Sequence, residues 1–111
     1  MSNREQLREL AGGVFELEDL IDYQSGSIVS RSLVDDGGVT VTIFAFDETE
    51  RLSEHVAPHD AILQVVDGTA TVTVQDEEYE VEAGETIVLP ANESHAVDAV
   101  TRFKMFLTMI R

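Results

Sequence analysis

From residue 27 onward, apolar and polar positions alternate along the chain in short runs separated by turn residues. Runs of this kind, bounded by Gly, Asp or Asn, are typical of half-buried β-strands. About eight are present, and their number and spacing predict an all-β sandwich or barrel. In chain order they are SIVSRSL, VTVTIFAF, AILQVV, TATVTVQ, YEVEA, ETIVLP, HAVDAV and RFKMFLTMI.

The N-terminal segment follows a different pattern. Ser2 and Glu5 form a capping-box signature, and the apolar residues after them have helical spacing, which predicts a short helix that ends at Gly12. The next segment, residues 14–23, alternates like a strand but contains several helix formers. We interpret it as an arm.

With 111 residues, the chain is long enough to bury one core. We therefore expect a single domain, with a helix and arm over residues 1–24 and a barrel over residues 27–110. The absence of cysteine excludes disulfides and thiolate metal ligands. Because no apolar run resembles a signal peptide or a membrane span, we expect a cytoplasmic protein.

The charge balance is strongly acidic, with 22 Asp and Glu against 7 Lys and Arg and a formal net charge of -15. Such a surface repels phosphate backbones and anionic lipids, so neither nucleic acid nor a membrane is an expected partner. The acids are spread along the chain, and Lys104 is the only lysine. This composition resembles that of proteins from salt-accumulating halophiles, and the alternative is an ordinary acidic bacterial protein.

The three histidines of the chain lie in two segments, SEHVAPHDAILQVVDG and AGETIVLPANESHAV. In the second segment, Gly84 is followed after five residues by Pro90, and His95 lies five positions further on. This spacing resembles the second motif of the cupin superfamily. Asn92 stands where that motif usually has a glycine.

The first segment matches the first cupin motif in part. Aligned on Gly68, His55 takes the place of the motif's first histidine, whereas Ala57 and Ala61 take the places of the second histidine and the glutamate. Residues 27–110 are similar to small single-domain cupins. The resemblance implies an all-β, jelly-roll barrel with its site at the barrel mouth.

The same resemblance implies a divalent metal, which cupins hold with three histidines and a carboxylate or with four histidines. His55, His59 and His95 are the candidate ligands for Zn, Ni, Fe, Mn or Cu. His59 joins the other two only if residues 56–58 bulge, and Glu93 is a candidate carboxylate in a loop. The alternative is a polar pocket without metal, in which the histidines hydrogen-bond a ligand.

Strand parity predicts a largely apolar barrel lining. If Ala61 faces inward, so do Leu63 and Val65. The last strand contributes one of two alternating sets, and basic residues are missing from both motif segments, which disfavours a phosphorylated substrate. The two sets are Met105, Leu107 and Met109, or Phe106 and Ile110.

Two functions remain open at this point. One is a metal-dependent enzyme acting on a small molecule, such as a dioxygenase, isomerase or cyclase. The other is a binding or sensing barrel without catalysis. In either case we expect a homodimer, because the arm offers a strand that could cover the edge of a neighbouring barrel.

The charge balance leads to a prediction about salt. Repulsion within a surface of net charge -15 is screened as ionic strength rises, so the melting temperature should increase from low to molar KCl. Differential scanning calorimetry across a KCl series measures this. A flat or falling melting temperature would contradict the prediction.

Overall fold

The computed structural model describes residues 3–111, which form two β-sheets preceded by a short N-terminal segment. The segment contains helix α1 (Glu5–Glu9) and a single 3-10 turn (Leu17–Leu20). Nine strands follow: β1 (Ile28–Asp35), β2 (Val39–Phe46), β3 (Arg51–Val56), β4 (Asp60–Asp67), β5 (Thr69–Val74), β6 (Glu77–Glu82), β7 (Thr86–Leu89), β8 (Ser94–Ala99) and β9 (Phe103–Ile110).

The strands form a jelly roll of two antiparallel sheets, as expected. The five-stranded sheet has the order β1-β2-β9-β4-β7, and the four-stranded sheet has the order β3-β8-β5-β6. The eight predicted runs all become strands, and β3 is an additional ninth. Five of the six residues of β3 are exposed, so the strand lacks the alternation by which the other runs were identified.

The main core fills the space between the two sheets. On β4, Ala61, Leu63 and Val65 are all buried, which matches the predicted parity. Leu63 pairs with Leu107 on β9, and Val65 pairs with Met105. Cross-strand partners share a face of the sheet. The β9 set Met105, Leu107 and Met109 therefore faces inward.

The outer face of the five-stranded sheet carries a second apolar cluster, built around Leu20, Leu33 and Ile43. Phe106, from the alternate set on β9, packs here. The N-terminal segment covers this cluster, because Leu20 belongs to its 3-10 turn. The arm therefore packs against its own sheet, and the homodimer that we expected it to support stays a prediction.

Polar contacts tie this segment to the sheet. Lys104, with 9% of its surface exposed, donates a hydrogen bond from Nζ to the backbone oxygen of Glu18 at 2.6 Å. Its ammonium group also lies 4.8 Å from the centroid of the Tyr23 ring, and the Tyr23 hydroxyl donates to Asp67. A buried ammonium group needs such partners, because desolvation without them is costly.

Helix α1 is shorter than the sequence pattern predicted. It begins at Glu5, with Arg4 at the N-cap position and no side-chain cap. Ser2, the predicted capping residue, lies outside the described residues. Within residues 3–111, no helix has the length and apolar character that crossing a membrane would require.

Gly68, between β4 and β5, is a position where the backbone excludes a side chain. Its φ is +76°, and a Cβ built on it would lie 1.9 Å from the backbone oxygen of Arg102. Gly84 has a φ of +92° but open space around it. The two motif glycines are therefore required for different reasons.

This difference predicts a graded series of stabilities. Gly68→Ala should lower the free energy of unfolding by about 3 kcal/mol or more, because left-handed strain and a backbone collision combine. Gly84→Ala should cost about 1–2 kcal/mol from strain alone. Gly37→Ala, a control in open space, should change stability by less than about 0.5 kcal/mol. Equal losses for the first two variants in urea denaturation would contradict the series.

Candidate ligand-binding site

The site is built on the pairing of two antiparallel strands. Strand β3 lies beside β8, and His55 is aligned with His95. The two imidazole rings are 4.3 Å apart between centroids and meet edge to face at 68°. The structure thus brings together one histidine from each of the two motif segments.

Backbone carbonyls orient both rings. His55 Nδ1 lies 2.9 Å from the oxygen of Ser53, and His95 Nδ1 lies 3.3 Å from the oxygen of Glu93. A carbonyl oxygen can only accept, so Nδ1 carries the proton in each ring. In the neutral form, Nε2 of each histidine therefore keeps its lone pair.

The two histidines differ in exposure. His55 is exposed, whereas only 8% of the surface of His95 is accessible. Burial lowers the pKa of His95, and the nearby His55 lowers it further, while the hydrogen bond with Glu93 opposes the shift. His95 is therefore neutral at pH 7 and available as a hydrogen-bond acceptor.

His59 occupies a different position. It is half-buried and lies in the connection between β3 and β4, directly before Asp60. The irregularity of β3 lies between Leu52 and His55, and residues 57–59 follow the end of the strand as a connection outside the sheet. Within residues 3–111, no group of three His, Cys, Asp or Glu side chains could hold a metal ion.

Nearby carboxylates are engaged in loop contacts. Asp60 Oδ1 accepts a hydrogen bond from the backbone nitrogen of Ala91 at 2.8 Å, and Glu93 accepts one from the side-chain amide of Gln75. The loop between β7 and β8 is also fixed by Asn92, whose φ is +68°. Asparagine tolerates this conformation, which explains how it can replace the glycine of the motif.

Next to the histidine pair lies a groove that the sequence did not predict. Val74 on β5 is aligned with His95 and is one of the residues that line the groove, which has a volume of about 460 Å³. The only sequence signal was the isolated Tyr79 in the acidic run EEYEVE. The full lining is Val74, Tyr79, Glu80, Val81, Glu85, Thr86, Ile87, Val88 and Pro90.

Comparison with known proteins agrees with this architecture. The family described as "Cupin domain" matches residues 42–110, more than half of the chain. The chain belongs to the cupin domain family. A search of curated proteins found no match.

Two solved structures resemble the chain closely. A conserved protein of unknown function from Streptococcus pyogenes is 32% identical, with a TM-score of 0.87, over 90% of this chain and 88% of that one. A cupin 2 conserved barrel domain protein from Leptotrichia buccalis is 40% identical, with a TM-score of 0.84, over 87% of this chain and 47% of that one. This cupin thus spans about half of the Leptotrichia protein.

A third solved structure is similar in fold alone. It is a cupin superfamily protein from Desulfitobacterium hafniense, 24% identical with a TM-score of 0.86, over 89% of this chain and 91% of that one. The two more similar relatives carry no stated substrate.

The donor set of this cupin does not fit a resident divalent metal. His55 and His95 supply two imidazole ligands, whereas zinc enzymes typically use three protein ligands. Ala57 and Ala61 stand where the cupin motif has a histidine and a glutamate, and Ala61 is buried with 4% exposure.

The proximity of the two rings predicts the titration of His95. Its pKa should lie below the ordinary value of 6.5, and His55→Ala should raise it, because removing His55 relieves the charge repulsion between the two rings. His59→Ala is the control and should leave the pKa of His95 unchanged. NMR titration of the ring protons measures the pKa of His95 in the unmodified chain and in each of the two variants.

The lowered pKa of His95 also predicts how the stability of the native chain changes with pH. Below pH 6.5 the unfolded chain binds the proton before the native chain does, so stability should fall as pH decreases from 6.5 toward the native pKa of His95. A titration midpoint for His95 at or above 6.5 would contradict both expectations.

Proposed function

We propose that this cupin binds a small molecule at the end of the barrel where His55 and His95 pair. The observation that supports the proposal is the orientation of the two rings, with each Nδ1 directed at a backbone carbonyl. Each neutral ring therefore presents Nε2 as an acceptor. A ligand that carries a hydroxyl, amide or amine donor is the chemical match.

The surroundings of the pair favour binding. His95 is buried, so a hydrogen bond to its ring forms in a medium of low dielectric constant and is stronger than in water. The exposed ring of His55 leaves the pair accessible from solvent. Val74, aligned with His95, supplies apolar surface for the rest of the ligand.

A metal-dependent enzyme, such as a dioxygenase, isomerase or cyclase, is the second candidate. The observation that favours it is again the carbonyl contact at each Nδ1, an arrangement that metal-bound histidines commonly have. It requires donors beyond His55 and His95, and the position of His59 offers little support. Binding without a resident metal is therefore the function that the residues favour.

Phenol tests the proposal as a hydrogen-bond donor, with anisole as the matched probe that cannot donate. Phenol should shift the ring resonances of His55 and His95 and should bind more tightly than anisole by about fivefold, the value of one hydrogen bond. His95→Ala should remove most of that preference, because the buried ring forms the stronger hydrogen bond, and His59→Ala should keep it. Equal binding of the two probes, or shifts confined to other residues, would contradict the proposal.

Elemental analysis distinguishes the two candidate functions. Protein purified without a histidine tag and without chelators should contain far less than one divalent ion per chain. A stoichiometric ion that His95→Ala removes would overturn metal-free binding and favour a metal-dependent function.

A further inference from the structure

The groove beside the histidine pair lies at the opening between the two sheets. Strand β7 is an edge of the five-stranded sheet and β6 is an edge of the four-stranded sheet, and residues of both line the groove. Val81 and Ile87 belong to the main core or pack against it, so they form an apolar floor. Val88 lies at the rim with 59% of its surface exposed.

The charged side chains that line the groove are all acidic. Glu80 and Glu85 are the charged residues of its lining, and neither arginine nor lysine lines it. Tyr79 adds an aromatic ring, whose hydroxyl donates to Glu77 Oε2 at 2.8 Å. This hydrogen bond holds the ring in place and directs its hydroxyl to a carboxylate.

We propose that this groove binds a small organic cation with an apolar body, such as a substituted ammonium ion. The apolar floor accommodates the body, and the Tyr79 ring faces the positive charge. Glu80, on the opposite face of β6 from Tyr79, and Glu85, whose Oε1 accepts a hydrogen bond from the backbone nitrogen of Glu82 at 2.8 Å, add attraction through their charges. Anions are disfavoured, because the chain carries a net charge of -15 and the groove offers them no basic residue. This inference does not depend on the histidine pair.

NMR titration with benzyltrimethylammonium tests the inference, with benzyl alcohol as the neutral probe and phenylacetate as the anionic one. All titrations use the same KCl concentration, because screening would otherwise change the comparison. The cation should shift the amides of Tyr79, Ile87 and Val88 and should bind about fivefold more tightly than benzyl alcohol. Phenylacetate should bind more weakly than either.

Matched variants separate the groove from the general acidity of the surface. Glu80→Gln should weaken binding of the cation by about two- to threefold, whereas Glu48→Gln, an exposed acid outside the groove, should leave it unchanged. Val88→Thr should weaken binding of both the cation and benzyl alcohol by about twofold. Val100→Thr, at a similarly exposed valine outside the groove, is its control.

Three results would overturn the inference: equal affinity for the cation and benzyl alcohol, equal effects of Glu80→Gln and Glu48→Gln, or shifts that lie outside the groove. His55→Ala should not change the affinity of the groove for the cation. The two proposals can therefore fail separately. The histidine proposal is tested by phenol binding and the histidine ring resonances, and the groove proposal is tested by cation binding.

Discussion

Strand β8 lies between β3 and β5 and aligns His95 with His55 on one side and with Val74 on the other. This register decides the chemistry of the barrel end, because side chains alternate between the two faces of a strand. A slip of one residue would turn His95 to the opposite face and separate the two rings. Gly68 supports the arrangement at a distance, since the close approach of the Arg102 backbone fixes the turn that leads into β5.

The few lysine and arginine side chains of this acidic chain mainly stabilise the fold. Lys104 holds the N-terminal segment through the backbone oxygen of Glu18, and Arg31 reaches the backbone oxygen of Leu20. The N-terminal segment of the same chain thereby covers the outer apolar cluster. Neither arginine nor lysine lines the groove beside the histidine pair, which is why the ligand proposed for that groove is a cation.

Much of the fold could be predicted from the sequence, because strands with one buried face show alternation and the cupin motif fixes its turns. Strand β3 could not be recognised in this way, since an exposed edge strand lacks the pattern, although it carries His55. The cupin resemblance implied that His55 and His95 lie together at the barrel mouth, but it did not predict that their strands pair. The groove was not, because Tyr79 and Val88 meet only through the relative position of two edge strands.

The position of His59 could not be predicted either, since it depends on the local course of the connection after β3. Three histidines in two motif segments suggested three ligands, yet no three His, Cys, Asp or Glu side chains within residues 3–111 are grouped so that they could hold a metal ion. The structure instead pairs two rings and engages the neighbouring Asp60 and Glu93 in loop hydrogen bonds. The chemistry of the site therefore depends on which nitrogen of each paired ring carries the proton.

Nitrogen-15 NMR of the labelled imidazoles measures this property directly, because protonated and unprotonated ring nitrogens have well-separated chemical shifts. At a pH above the histidine pKa values, His55 and His95 should both show a protonated Nδ1 and an unprotonated Nε2. A protonated Nε2 on either ring would contradict the account, because that ring would then present a donor to the ligand.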